Sequence, residues 1–172
     1  MKLKYAVLPT AFALLFSASS FADNSGTVYF YGSVKAPTCK VNNGNKDSYV
    51  NMGNHETSAF PAAGTEVKGD EKVVLELTEC TGNEANLSLT ANNREGNDKI
   101  KLKATSGSAK GLVIVLKDEA AGTVRLVDGA STTEQIVSGN ATFEYQPYLV
   151  STANVVEAGS IDASVDYTIS YN

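Results

Sequence analysis

The chain alternates between apolar and polar residues for most of its length. In "SVDYTISYN", Ser164–Asn172, the residues Val165, Tyr167, Ile169 and Tyr171 fall on one side, and Ser164, Asp166, Thr168 and Ser170 on the other. Period two is the mark of a strand with one buried face. "GTVYFYGSV", Gly26–Val34, repeats the pattern with Val28, Phe30, Gly32 and Val34 on one face. Lys72–Cys80 buries Val73, Leu75 and Leu77, and Ala85–Asn92 buries Leu87 and Leu89. Lys99–Ala104 alternates lysines with Ile100 and Leu102, as an edge or solvent-facing strand would. Leu112–Leu116 is a continuous apolar run and reads as the most buried strand. Thr123–Val127 and Asn140–Ser151 complete the strong candidates, and Ser48–Gly53 is a short one.

Between these runs the chain turns. Asn42–Asp47 is polar; Asn54–Gly69 is irregular, holds Pro61 and has room for a short helical turn near Glu56–Phe60. Asp128–Gly139 reads as a loop with a short extended piece. No long segment of helical period follows the first residues. Short strands with frequent turn signals predict a sandwich or barrel in one all-β domain.

The first residues form a separate unit. Lys2 and Lys4 precede the mostly apolar Tyr5–Phe16, and Ser20-Phe21-Ala22 fits a cleavage site. Residues 1–22 are therefore expected to be a signal peptide, since the apolar run is shorter than the roughly 20 residues that span a bilayer. Export changes the meaning of the two cysteines. In an oxidising compartment Cys39 and Cys80 are expected to pair, closing a loop that could stabilise by about 4 kcal/mol in the chain-entropy account. The chain is acidic, net −5, and loses Lys2 and Lys4 with the signal. Such a product is a poor candidate for nucleic acid or an anionic membrane, and no second long apolar stretch follows.

Catalytic chemistry is hard to assemble. One histidine, His55, sits in a turn-rich segment and reads as a solvated loop residue. The glycines around Ser108 do not fit a nucleophile elbow. The acidic turns lack calcium-loop spacing, and Glu71, Glu76 and Glu79 read as solvent-facing. No cofactor, no metal and no enzymatic activity are expected.

The two ends of the chain remain to be explained. The last strand runs to the final residues without a closing turn, and a sheet edge with unpaired N–H and C=O groups is a liability. Gly26–Val34 offers a strand with apolar residues to bury and no evident hairpin partner. The ordered pieces are "GTVYFYGSV", the early cysteine in "APTC", the second cysteine closing "LELTEC", "FEYQPYLV", a penultimate tyrosine (Tyr171) and a glycine fourteenth from the end (Gly159). Together they resemble the fimbrial, type 1 pilin-like subunits of the chaperone–usher pathway, over essentially the whole chain after the signal.

The resemblance implies an incomplete immunoglobulin-like β-sandwich lacking its final strand, over residues 35–172. It implies that residues 23–34 are a donor-strand extension, with Val28, Phe30, Gly32 and Val34 as the donated positions. The receiving groove for chaperone or neighbour would involve Gly159, Val165, Tyr167, Ile169 and Tyr171. Implied partners are other pilin subunits, a periplasmic chaperone and an outer-membrane usher, and the implied location is the cell-surface fimbrium, reached through the periplasm. Gly32, in a position where family members carry glycine, would pass a narrow part of the groove. Three alternatives stay open. The subunit could be a minor adaptor, Val28–Val34 could be the first strand of an ordinary closed sandwich, or the chain could be a secreted immunoglobulin-like binding module. An isolated copy could also fill its groove with its own N-terminal strand.

Overall fold

The computed structural model describes residues 27–36 and 38–172. The signal peptide reading of residues 1–22, the first part of the expected donor segment and Pro37 lie outside them. Residues 27–34 and Lys35–Asn172 form separate units.

The described residues of Lys35–Asn172 hold eleven strands: β1 Lys40–Val41, β2 Glu66–Lys68, β3 Val73–Thr78, β4 Glu84–Thr90, β5 Arg94–Glu95, β6 Lys99–Lys101, β7 Leu112–Asp118, β8 Thr123–Val124, β9 Asp128–Gln135, β10 Ala141–Ser151 and β11 Asp166–Tyr171. A short 3₁₀ turn at Thr57–Ala59 falls where the sequence allowed one. Among the described residues no helix is long and apolar enough to cross a membrane.

The strands form two antiparallel sheets. One runs β1-β3-β10-β7-β6-β5, with β2 added to β10 and β8 to β7; the other runs β11-β4-β9. β10 organises the larger sheet. Its first half pairs with β3, from Ala141↔Leu77 to Tyr145↔Val73. Its second half lies between β7 and β2. Between β2 and β3, the Gly69 N–H donates to the Pro147 carbonyl at 2.9 Å, and the buried Gln146 side chain donates to the Gly69 carbonyl at 2.8 Å.

Alternation decides which face is inside. Leu75, Leu77, Phe143, Leu149 and Ile100 from the larger sheet meet Ala85, Leu87 and Leu89 of β4, and all are buried. Leu112–Leu116 is buried at every position, as its unbroken apolar run requires. β6 is less exposed than its lysines implied. It pairs with both β5 and β7, and Ile100 and Leu102 enter the core.

Three segments depart from the sequence reading. Asp128–Gln135, expected as mostly loop, is an eight-residue strand, and Glu66–Lys68 forms β2 within the segment read as irregular. Ser48–Gly53 joins no ladder. Arg125 supplies a further surprise, a cation buried in the core. Its Nη2 donates to the carbonyls of Leu87 at 2.7 Å and Ala130 at 2.8 Å, beside the register shift between Ser88 and Thr90 on β4. The guanidinium satisfies acceptors where the β4–β9 ladder is irregular, as buried carbonyls demand.

Candidate functional site

β11 exists because β4 offers it a ladder. Tyr167 pairs with Leu89, Ile169 with Leu87 and Tyr171 with Ala85. The other edge of β11 pairs with no strand among the described residues. The side chains register the same vacancy. On β4 the inward residues Ala85, Leu87 and Leu89 are at most 2% exposed. On β11 the inward residues Tyr167, Ile169 and Tyr171, and Ile161, Ala163 and Val165 ahead of them, pack against the core but stay half-buried. A half-open apolar stripe therefore runs beside a free ladder edge over the length of the last strand.

The facing wall is β1 and the stretch after it. Val41, Val50 and Met52 are half-buried there, and Asn45–Met52 belongs to no strand. One side chain spans the gap. The Tyr167 hydroxyl donates to the Lys46 carbonyl. This strut ties the last strand to the facing wall across the trough. Burial, with the nearby Asp47 carboxylate as a lesser cause, raises the Tyr167 pKa. Burial also raises that of Tyr171, and Tyr167 adds to the effect. Both hydroxyls stay protonated at neutral pH, and that of Tyr167 keeps its hydrogen bond.

The trough deepens at its Ile161 end into a cavity of about 150 Å³ lined by His55, Phe60, Leu112, Val156, Gly159 and Ile161. His55 is half-buried there and its Nε2 lies 2.7 Å from the Met52 carbonyl, so it is not the solvated residue its neighbours in sequence implied. Gly159 has a steric reason to be glycine. A Cβ there would lie 2.4 Å from the Ala109 nitrogen and 2.5 Å from the Gly107 oxygen. The backbone beside it is tied to the same loop, Ser160 N–H to Gly107 O at 2.8 Å and Ala109 N–H to Ser160 O at 3.0 Å. Cys39 and Cys80 are joined, which fastens the chain just before β1 to the chain just after β3.

Residues 27–34, taken by themselves, form no regular structure. The strand expected at Gly26–Val34 does not form over the described part. Val28, Phe30 and Val34 are exposed, and an added Cβ at Gly32 would meet open space.

The family model of fimbrial proteins matches residues 28–172. The chain belongs to the fimbrial protein family. A type-1 fimbrial protein subunit of Serratia marcescens is 28% identical to this fimbrial subunit, over 98% of this chain and 99% of its own length. An S-fimbrial adhesin protein of Escherichia coli is 30% identical over 99% of both. Among solved structures, the P pilus rod subunit PapA superposes with a TM-score of 0.58 at 20% identity, covering 85% of this chain and all of PapA. That likeness identifies the fold as the immunoglobulin-like sandwich of pilin subunits. The fimbrial protein is a structural subunit of a cell-surface fimbria, a fibre in which such subunits polymerise with one another.

Proposed function

We propose that the trough beside β11 is the acceptor site for an extended strand from another molecule, and that residues 23–34 of the next copy supply that strand in the fibre. The observation that carries this reading is the contrast within one sheet: a closed row on β4 beside a half-open row and a free ladder edge on β11. An added strand gains a ladder of hydrogen bonds, each worth about 0.5–1.5 kcal/mol net. It also places alternate side chains into the trough. Val28, Phe30 and Val34 are the inward residues, at about 1.5–3 kcal/mol for each one fully buried. Val34, the last of them before the donor's own domain, suits the apolar cavity at the Ile161 end. That choice runs the donor antiparallel to β11. Gly32 then falls next to the cavity, where a glycine eases close passage.

A subunit with an open core needs cover before it reaches a neighbour. In this reading the signal peptide, residues 1–22, delivers the chain to the periplasm. A chaperone strand occupies Val165–Tyr171 and its basic residues hold the terminal carboxylate. An outer-membrane usher then exchanges that strand for residues 23–34 of the following subunit. The contact is head to tail and does not close, so it yields a fibre, whose use is attachment of the cell to surfaces. The chain performs no catalysis in this scheme. The likeness to an S-fimbrial adhesin protein favours a second reading, a minor subunit in the same kind of fibre. Its copy number relative to the main subunit decides between them.

The test is deletion of Asp23–Val34. The shortened chain is expected to bind the chaperone and to be absent beneath an earlier subunit in recovered fibres. Its incorporation at normal levels would overturn the donor role.

A further inference from the structure

The inward face of the donated segment is accounted for by the trough, but its outward face is not. Tyr29 is 81% and Tyr31 98% exposed, and Tyr49 on the wall of the trough is 89% exposed. Scattered apolar residues on a surface need no explanation. These three lie where two copies would meet.

Their faces can be fixed. On the wall, Val50 and Met52 are half-buried while Tyr49 and Asn51 are exposed, so Tyr49 points away from the core. On the donor, Val28, Phe30 and Val34 point inward, which turns Tyr29 and Tyr31 outward.

Their levels can be fixed as well. Lys46 lies opposite Tyr167 through the hydroxyl bond. Further along the wall, His55 and Phe60 line the cavity with Gly159 and Ile161. The wall therefore runs antiparallel to Ile161–Tyr171, and Tyr49, three residues beyond Lys46, lies between the levels of Tyr167 and Ile161, near Ser164. A donor with Val34 at the Ile161 cavity puts Tyr31, three residues earlier, at that same level. Ser164 on the far side is small and leaves the outer surface clear. Neighbouring strands hold opposed side chains about 4.5–5.5 Å apart, and diagonal ones are still within aromatic reach.

We propose that Tyr31 of one copy packs against Tyr49 of the next on the outer surface of the filled trough, an aromatic clasp between subunits that adds to the buried residues beneath. This rests on the strand-donation reading above. The clasp lies outside the core and touches neither the β11 ladder nor the inward side chains, so removing it should spare folding and change only how long a junction lasts.

The experiment is a double-mutant cycle on fibres of the full mature chain, read as the rate of subunit dissociation in denaturant. Tyr31→Thr and Tyr49→Thr are each expected to speed dissociation by about two- to tenfold. The double variant should be no faster than the faster single one, because both remove the same contact. Tyr29→Thr should combine with Tyr49→Thr multiplicatively. Tyr49→Phe should keep the wild-type rate, since the ring and not the hydroxyl makes the contact. Single effects that multiply for Tyr31 and Tyr49, no single effect at all, or coupling to Tyr29 instead would overturn the clasp while leaving strand donation intact. Fibres that form without residues 23–34 would overturn strand donation and the clasp with it.

Discussion

β4 and β11 lie side by side in one sheet, carry the same alternation and are joined residue by residue, yet they differ in cover. β4 has β9 on its second edge, and its inward row is shut off from water. β11 has β4 alone, and its inward row is half open. The chemistry of the two rows is alike, aliphatic or aromatic at each inward position. The difference therefore follows the second edge, paired on β4 and unpaired on β11 among the described residues, and not a weaker sequence.

Truncation breaks this comparison most strongly. Leu87→Ala removes a side chain from the closed row and is expected to cost about 2–5 kcal/mol, whether or not the trough is filled. Ile169→Ala, its cross-strand partner, should cost clearly less in the isolated chain and approach the Leu87 value once a strand occupies the trough. Denaturant unfolding of the subunit alone and in the fibre measures both. Equal costs in the isolated chain would mean that the β11 row is already closed.

Gly159→Ala acts at the head of the stripe. Its methyl would meet the Gly107–Ala109 backbone, a contact that only movement of the chain relieves, at an expected cost of about 1–3 kcal/mol. The same measurement applies, and an unchanged midpoint would show that the loop yields freely.

The smallest effect sharpens the picture of the strut. Tyr167→Phe removes one hydrogen bond across the trough, about 0.5–1.5 kcal/mol. The pH dependence has a definite sign. Folding raises the pKa values of Tyr167 and Tyr171 above the ordinary tyrosine value. The folded chain then holds protons that the unfolded chain has released. Stability from this source is full below about pH 10 and is lost as pH rises through the raised values. Alkaline unfolding of Tyr167→Phe should show a shallower loss than the wild type.

The two-period segments were legible because burial on one face leaves its trace residue by residue. Ala85–Asn92, Leu112–Leu116, Asn140–Ser151 and Ser164–Asn172 all became strands close to their expected bounds. "DGASTTEQ" was not legible. Its inward positions are Ala130, Thr132 and Glu134, only half-buried. It is a strand because β4 presents a ladder, and ladders leave no mark in composition. Val67, alone between two charges, could not announce β2. Nothing in the pattern around Arg125 marks its burial, since the carbonyls that hold it come from β4 and β9 and are set by a ladder irregularity. Gly159 stood out through the family pattern alone, and its physical cause lies some fifty residues away, in Gly107–Ala109. Gly26–Val34 is the opposite case. Its alternation is plain, but the described part forms no strand on its own. A pattern states what a segment can pair with, not which molecule supplies the partner.

The bond between Cys39 and Cys80 has a mechanical consequence. β1 is held to β3 by only two paired positions, and such a short ladder would unzip under a steady pull from the N-terminal side. Tension arriving at Cys39 instead crosses the sulfur bridge to Cys80, so the loop from Lys40 to Glu79 cannot be drawn out from that side. A fibre strained by flow would stretch around that loop without unravelling it.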